Sequence, residues 1–162
     1  MTWSGETKIF YLYLPCSKLS SKKEIQYVQF LTFQSNDNFI HAFSPFGQIR
    51  FKTSCGTTIP DAVNISKKIA FYFNGCHFHS HDPSICKINK KGCPEKSMKK
   101  LEEFKKKTEK LCSENEQIDQ IEVMWECEWD QKKKTDSEVK TFMRASFIDR
   151  PVRRLVPRKA RK

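Results

Sequence analysis

The chain has 162 residues, 19.1 kDa and mean hydropathy −0.67, with 38% hydrophobic residues including 13 Phe, 4 Tyr and 3 Trp. That is the size of one domain able to bury an aromatic core, and it excludes collagen-like, mucin-like and disordered classes. Thirty Lys and Arg against 19 Asp and Glu give +11, which implies an anionic partner, nucleic acid first.

The segment 8–14 is dense in Ile, Tyr, Phe and Leu and reads as a strand closed by Pro15. It is too short for a signal h-region, and no stretch approaches the roughly 18–20 apolar residues of a membrane span, so no membrane partner is expected. Ser21 followed by Glu24 has capping-box spacing, and Ile25, Val28 and Leu31 then recur at helical intervals, predicting a helix over 22–33. Short extended pieces follow at 39–43 and 48–52 around the turn signal Ser44-Pro45-Phe46-Gly47. Two strands are predicted at 57–64 and 68–74, joined by a turn at Ser66-Lys67.

After a polar loop, Ser97 is read as the cap of a second helix with the apolar stripe Met98, Leu101, Phe104, Thr108 and Leu111. Ile121, Val123, Trp125, Cys127 and Trp129 alternate with more polar residues, predicting one strand with a buried face. A short amphipathic stretch at 139–147 and a basic tail complete the chain. The order predicts an α/β (α+β) domain over 1–130, a mixed sheet covered by two main helices, with 131–162 as a basic, partly helical C-terminal segment. That segment has 12 Lys or Arg and 3 Asp or Glu. It reads as a solvated or nuclear-import tail, or as an arm gripping phosphates through Arg150, Arg153, Arg154, Arg158 and Lys159.

Seven cysteines is an odd number, and three of the four histidines crowd beside one of them. This suits a reduced, intracellular chain with a metal site better than a disulfide framework. The loop at 75–93 carries Cys76, His77, His79, His81 and Cys86 within eleven residues. Zinc takes four such ligands tetrahedrally, and a distant element can supply one. The assignment is Cys76, His81, Cys86 and Cys127, with Cys93 as the substitute for Cys86. His79 is left over, and reads as an exposed histidine or a general acid or base. Asp61, after Pro60 at a strand end, reads as a turn residue or a magnesium ligand.

Pro60-Asp61, then Phe73-Asn74-Gly75-Cys76-His77-Phe78-His79, then Trp125-Glu126-Cys127-Glu128-Trp129 stand in an order that resembles the very-short-patch-repair-like nucleases. These are a branch of the restriction-endonuclease-like, PD-(D/E)XK fold. The likeness runs over about residues 19–159 and is nearest to the version beside protein-primed family B DNA polymerases of Polinton/Maverick-type transposons and related viruses. It implies a restriction-endonuclease-like mixed central sheet and a metal-dependent DNA endonuclease or nicking activity. Asp61 matches the magnesium- or manganese-binding aspartate, with the Phe73 carbonyl near the same ion. His79 matches the catalytic histidine, and Glu24 a helix glutamate reaching the site, although its capping role also explains that residue. Cys76, His81, a cysteine near Cys86, and Cys127 match structural zinc ligands. DNA is the implied partner, with a polymerase domain or another transposon or viral protein beside it. Gln48, Tyr72 and Asn74 depart from the pattern by being neutral, which admits a second reading: a catalytically degenerate nuclease fold that binds DNA or protein.

Overall fold

A computed structural model describes residues 21–35, 37–42, 44, 47–76, 81–82, 86 and 94–146. The predicted strand at 8–14, His79, Cys93 and the basic residues from Arg150 onward lie outside these.

Helix α1 (Lys22–Ser35) starts where its sequence says it should. The Ser21 hydroxyl accepts the Glu24 N–H and the Glu24 carboxylate accepts the Ser21 N–H, both at 3.1 Å. It buries Tyr27, Val28, Phe30 and Leu31. Of the extended pieces that follow, only β1 (Ile40–His41) and β2 (Phe51–Thr53) are strands. The segment predicted as one strand at 57–64 is two, β3 (Gly56–Thr58) and β4 (Ala62–Asn64). Between them lie Ile59, Pro60 and Asp61, and proline, which lacks an N–H, interrupts the ladder. Among the described residues β3 pairs only with β2, and Gly56, which opens β3 after the connecting turn, takes φ +104°, a left-handed conformation that glycine adopts without strain.

β5 (Ile69–Asn74) follows the turn expected at Ser66-Lys67. The Asn64 side-chain oxygen holds that turn, accepting from the Ser66 hydroxyl at 2.8 Å and the Lys67 N–H at 3.1 Å. Helix α2 spans Pro94–Glu114, three residues earlier than the predicted cap. Proline suits the first helical position, and Ser97 lies buried inside the helix. β6 is Gln120–Trp125. Helices α3 (Glu126–Thr135) and α4 (Ser137–Ala145) complete the described chain, with the Asp136 carboxylate capping α4 on the N–H groups of Glu138 and Val139.

The main sheet is mixed, in the order β1-β4-β5-β6, antiparallel except for the parallel pair β5 and β6, which α2 connects. Alternation along β5 separates two cores. Phe71 and Phe73 face α1, α3 and α4, where they join Tyr27, Phe30, Trp129, Val139 and Phe142. Ala70 and Tyr72 face α2 and the hairpin, joining Phe51, Val63, Leu111 and Ile118. The result is a mixed α/β domain with helices on both faces of its sheet.

Two sequence expectations need correction. The strand predicted over 121–129 ends at Trp125, and Cys127 lies in the first turn of α3. Trp125 and Trp129 are four residues apart, a spacing that fits a helix face as well as strand alternation over so short a run. Acidic Glu126 and Glu128 at the start of α3 and Lys132, Lys133 and Lys134 at its end complement the helix dipole and favour the helix. Second, α3 runs through the boundary drawn after residue 130, and α4 is part of the core: Val139 and Phe142 are fully buried. The fold therefore continues through Ser146. Residues 147–162 hold seven Lys or Arg and one Asp, net +6, which leaves +5 on residues 1–146.

Phe142 packs on Phe30 and Phe33 with ring centroids 5.6 and 5.5 Å apart. Phe142→Ala is expected to destabilise the protein by about 3–4 kcal/mol in urea unfolding, whereas Lys140→Ala on the exposed side changes stability by less than about 0.5 kcal/mol. Equal, small effects would return α4 to the tail.

Candidate metal centre

Cys76, His81, Cys86 and Cys127 converge, with their ligand atoms all within 4.8 Å of one another. Cys76 lies just beyond the C-terminal end of β5, and its carbonyl accepts the His81 N–H at 3.2 Å, turning the loop back on itself. Cys86 returns similarly, its N–H bonded to the Asp82 carbonyl at 2.9 Å. Cys127 arrives from the start of α3 and donates its backbone N–H to the Cys76 sulfur at 3.4 Å. The His81 Nδ1 lies 3.2 Å from the Cys127 sulfur and 3.7 Å from the Cys76 sulfur. Zn–S bonds near 2.3 Å and Zn–N near 2.0–2.1 Å at tetrahedral angles put sulfur and nitrogen about 3.6 Å apart. The observed separations bracket that value.

The electrostatics match. Burial pushes the Cys76 and Cys127 thiols up, so without a cation they stay protonated; burial pushes the His81 imidazole down, keeping it neutral with a lone pair to donate. A divalent cation reverses the balance by stabilising the thiolates, and the N-terminus of α3 adds its partial positive charge. The indole of Trp125 stacks on His81 at 4.2 Å between centroids and 6° between planes, setting the ring's orientation. Three cysteines and one histidine are a closed donor set of the structural zinc type, and this buried cluster can hold a metal such as zinc.

A second cluster lies at the same end of the sheet. Asp61 and Glu24 share a hydrogen bond, and Asp61 Oδ2 also accepts the Phe73 N–H at 2.7 Å. Burial, then the neighbouring Glu24 charge, push Asp61 up to about 7 against the opposing Phe73 N–H. The N–H and C=O of one strand residue point to the same edge, so the Phe73 carbonyl faces the same side as Asp61. Phe73 is only three residues from Cys76, at most about 10 Å of chain. Burial chiefly, with Glu122, Asp61 and Glu128 adding negative charge, keeps the neighbouring Tyr27 hydroxyl protonated.

The two clusters are tied together by Lys23, beside Glu24 on α1. Its ammonium bonds Glu126 and Asp130, each at 2.7 Å, and these residues lie on either side of Cys127 along α3. Burial opposes the charge on Lys23, but the two carboxylates outweigh it and hold its pKa above the ordinary value. A contact spanning more than 100 residues has no signature in the sequence. The neutral positions divide: Tyr72 is turned to the α2 side, bonded to the Thr58 hydroxyl at 2.9 Å, while Gln48 lies 3.5 Å from the Pro60 carbonyl. Asn74 is buried, and its amide nitrogen has no partner among the described residues. Cys112 packs half-buried against the second core, as a small apolar residue.

Comparison with protein-family models, curated proteins and solved structures gives no match. No described helix is long and apolar enough to cross a membrane.

One zinc per chain is expected by elemental analysis. Stripping it with a strong chelator, or Cys127→Ser, should lower the unfolding midpoint by roughly 10 °C or more, while Cys112→Ser leaves the zinc content unchanged. Asp61 gives a second test. Its folded pKa is raised, so between about pH 4 and pH 7 the native state binds more protons than the unfolded chain, and stability falls as pH rises. Asp61→Asn removes that penalty and still accepts from Phe73. Its stability relative to the wild type should therefore grow by about 1 kcal/mol or more from pH 5 to pH 8 in urea unfolding without added divalent cations.

Proposed function

We propose that this chain is a metal-dependent DNA endonuclease or nicking domain of the very-short-patch-repair-like type, with a restriction-endonuclease-like core and a structural zinc. The observation that carries this reading is the Glu24–Asp61 pair beside the Phe73 backbone. A carboxyl group held in its protonated form by burial and by a second carboxyl beside it is a site a divalent cation can enter by displacing the Asp61 proton. A mixed sheet flanked by helices supports the reading at the level of fold class.

Asp61 and Glu24 would hold magnesium or manganese, which when bound supplies Lewis-acid stabilisation of the charge that develops on the scissile phosphate. The Phe73 N–H fixes one Asp61 oxygen and leaves the carboxylate's orientation determined by the strand. Glu24 is held on the helix start by Ser21 and set in place by the Lys23 bridges. His79 is assigned the proton, taking it from water or giving it to the leaving oxygen. The zinc centre does no chemistry in this scheme: it fixes the loop that carries His79. Arg150, Arg153, Arg154, Arg158 and Lys159 hold phosphates. Nuclear DNA, with a polymerase domain or another transposon or viral protein as partner, completes the proposal.

One observation favours a second reading, a degenerate nuclease fold that binds DNA or protein without cutting. Tyr72 has its hydroxyl committed to Thr58 on the far face, so no third acidic group from that position reaches Asp61.

With magnesium or manganese, the wild type should nick supercoiled plasmid or cut mismatched duplex, and Asp61→Asn and Glu24→Gln should each lower the rate at least 100-fold without loss of DNA affinity. Binding without cleavage by the wild type would select the second reading. Equal cleavage by Asp61→Asn would remove the proposed site.

A further inference from the structure

Helix α2 contributes its apolar side, including Phe104, Thr108 and Leu111, to the second core, and the charges on its remaining surface are sorted. At 100° per residue, Lys96, Lys99, Lys100, Lys106, Lys107 and Lys110 fall within a sector of about 120°. Glu95, Glu102 and Glu109 form a separate row beside it, spaced by seven residues. Glu103 is the one carboxylate within the lysine sector between its first and last lysine.

Several of these residues have the i,i+4 spacing at which Glu and Lys pair on a solvated helix, such as Glu102 with Lys106 and Glu103 with Lys107. Among the described residues, however, the sector's only ion pair is Lys110 with Glu114, at 3.4 Å. The other five lysines are exposed. Glu114, at the end of the helix, is also occupied: it accepts from the backbone and hydroxyl of Ser54, bonds that hold its carboxyl below the usual range. The same bonds dock the β2–β3 hairpin beside the end of the sector, and the hairpin's exposed Arg50 and Lys52 line a groove there with Glu114.

We propose that this face of α2, with Arg50 and Lys52 at its far end, is a docking surface for the phosphate backbone of nucleic acid. From Lys96 to Lys110 the row is about 21 Å long, the axial length of about six base pairs of a duplex. A rigid row of cations, all but Lys110 without an ion pair among the described residues, matches the repeating anions of a phosphate backbone. A membrane surface fits less well, because an interfacial helix needs an apolar face to insert and that of α2 is buried in the core. The proposal rests on the reading of DNA as the partner and moves the principal grip from the C-terminal arginines to the folded domain. α2 begins where the zinc loop ends, so the row leads away from the end of the sheet that carries Asp61.

The test uses the full chain with zinc and without magnesium, titrated against a labelled 20-base-pair duplex between 50 and 200 mM salt. Replacing Lys99, Lys100, Lys106 and Lys107 with Gln should weaken binding at least tenfold and reduce the slope of log K against log salt by about 3–4. Arg at the same four positions should preserve binding. A control removes the same charge elsewhere, with Lys105, Lys132, Lys134 and Lys140 replaced by Gln, and should stay within about threefold of the wild type. If the α2 variant binds like the wild type, or the control loses as much as the α2 variant, this surface is not the grip, and the nuclease reading stands without it. If the wild type fails to bind duplex even at 50 mM salt, or binds phosphatidylserine vesicles in its place, both the docking surface and the DNA reading fail.

Discussion

The convergence of Cys76, His81 and Cys86 on Cys127 is the constraint from which the rest of the site follows. Three of these side chains come from the segment that follows β5, and the fourth comes from the first turn of a helix some 40 residues further on. Buried thiols with raised pKa values have no favourable state as anions unless a cation joins them. A metal bound by the four side chains would therefore do more than decorate a finished fold: it would link the segment after β5 to the start of α3 and hold the two in register.

From that link, order passes to the carboxyl pair. α3 presents Glu126 and Asp130 to Lys23, and Lys23 is next to Glu24, which shares a hydrogen bond with Asp61. β5 supplies the direct route, since Phe73 bonds Asp61 and Cys76 follows three residues later. Two independent connections thus set the position of one acidic pair relative to the metal loop. Partly buried ion pairs of this kind add little net stability, because desolvation offsets much of their attraction, but they specify geometry. The two cores divide the labour accordingly: the aromatic cluster of Tyr27, Phe73 and Trp129 lies under the site, while Leu111, Ile118 and Tyr72 bind α2 to the opposite face.

Much of this was legible in the residues. The capping box at Ser21 and Glu24 located α1, and the turn at Ser66-Lys67 located the hairpin that carries Asp61 and Phe73. Cys76, His81 and Cys86 could be named because soft donors concentrated within eleven positions have few other uses, and Cys127 because such a set needs a fourth donor from a distant element. What could not be read was geometry that depends on tertiary partners. Trp125, Cys127 and Trp129 satisfy strand alternation, and their helical spacing is equally good over five residues, so the end of β6 was invisible. The share of the positive charge that belongs to the fold was hidden too, because Val139 and Phe142 are only two buried residues in a segment dominated by lysines. Lys23 had no distinguishing mark at all, since its partners lie more than 100 positions away.

The account depends most on one metal with three sulfur ligands and one nitrogen. X-ray absorption at the zinc edge of the purified protein measures this directly. The predicted spectrum fits three Zn–S distances near 2.3 Å and one Zn–N distance near 2.0–2.1 Å, with one sulfur lost in Cys127→Ser. A first shell of nitrogen and oxygen alone, or three sulfurs retained in Cys127→Ser, would contradict it.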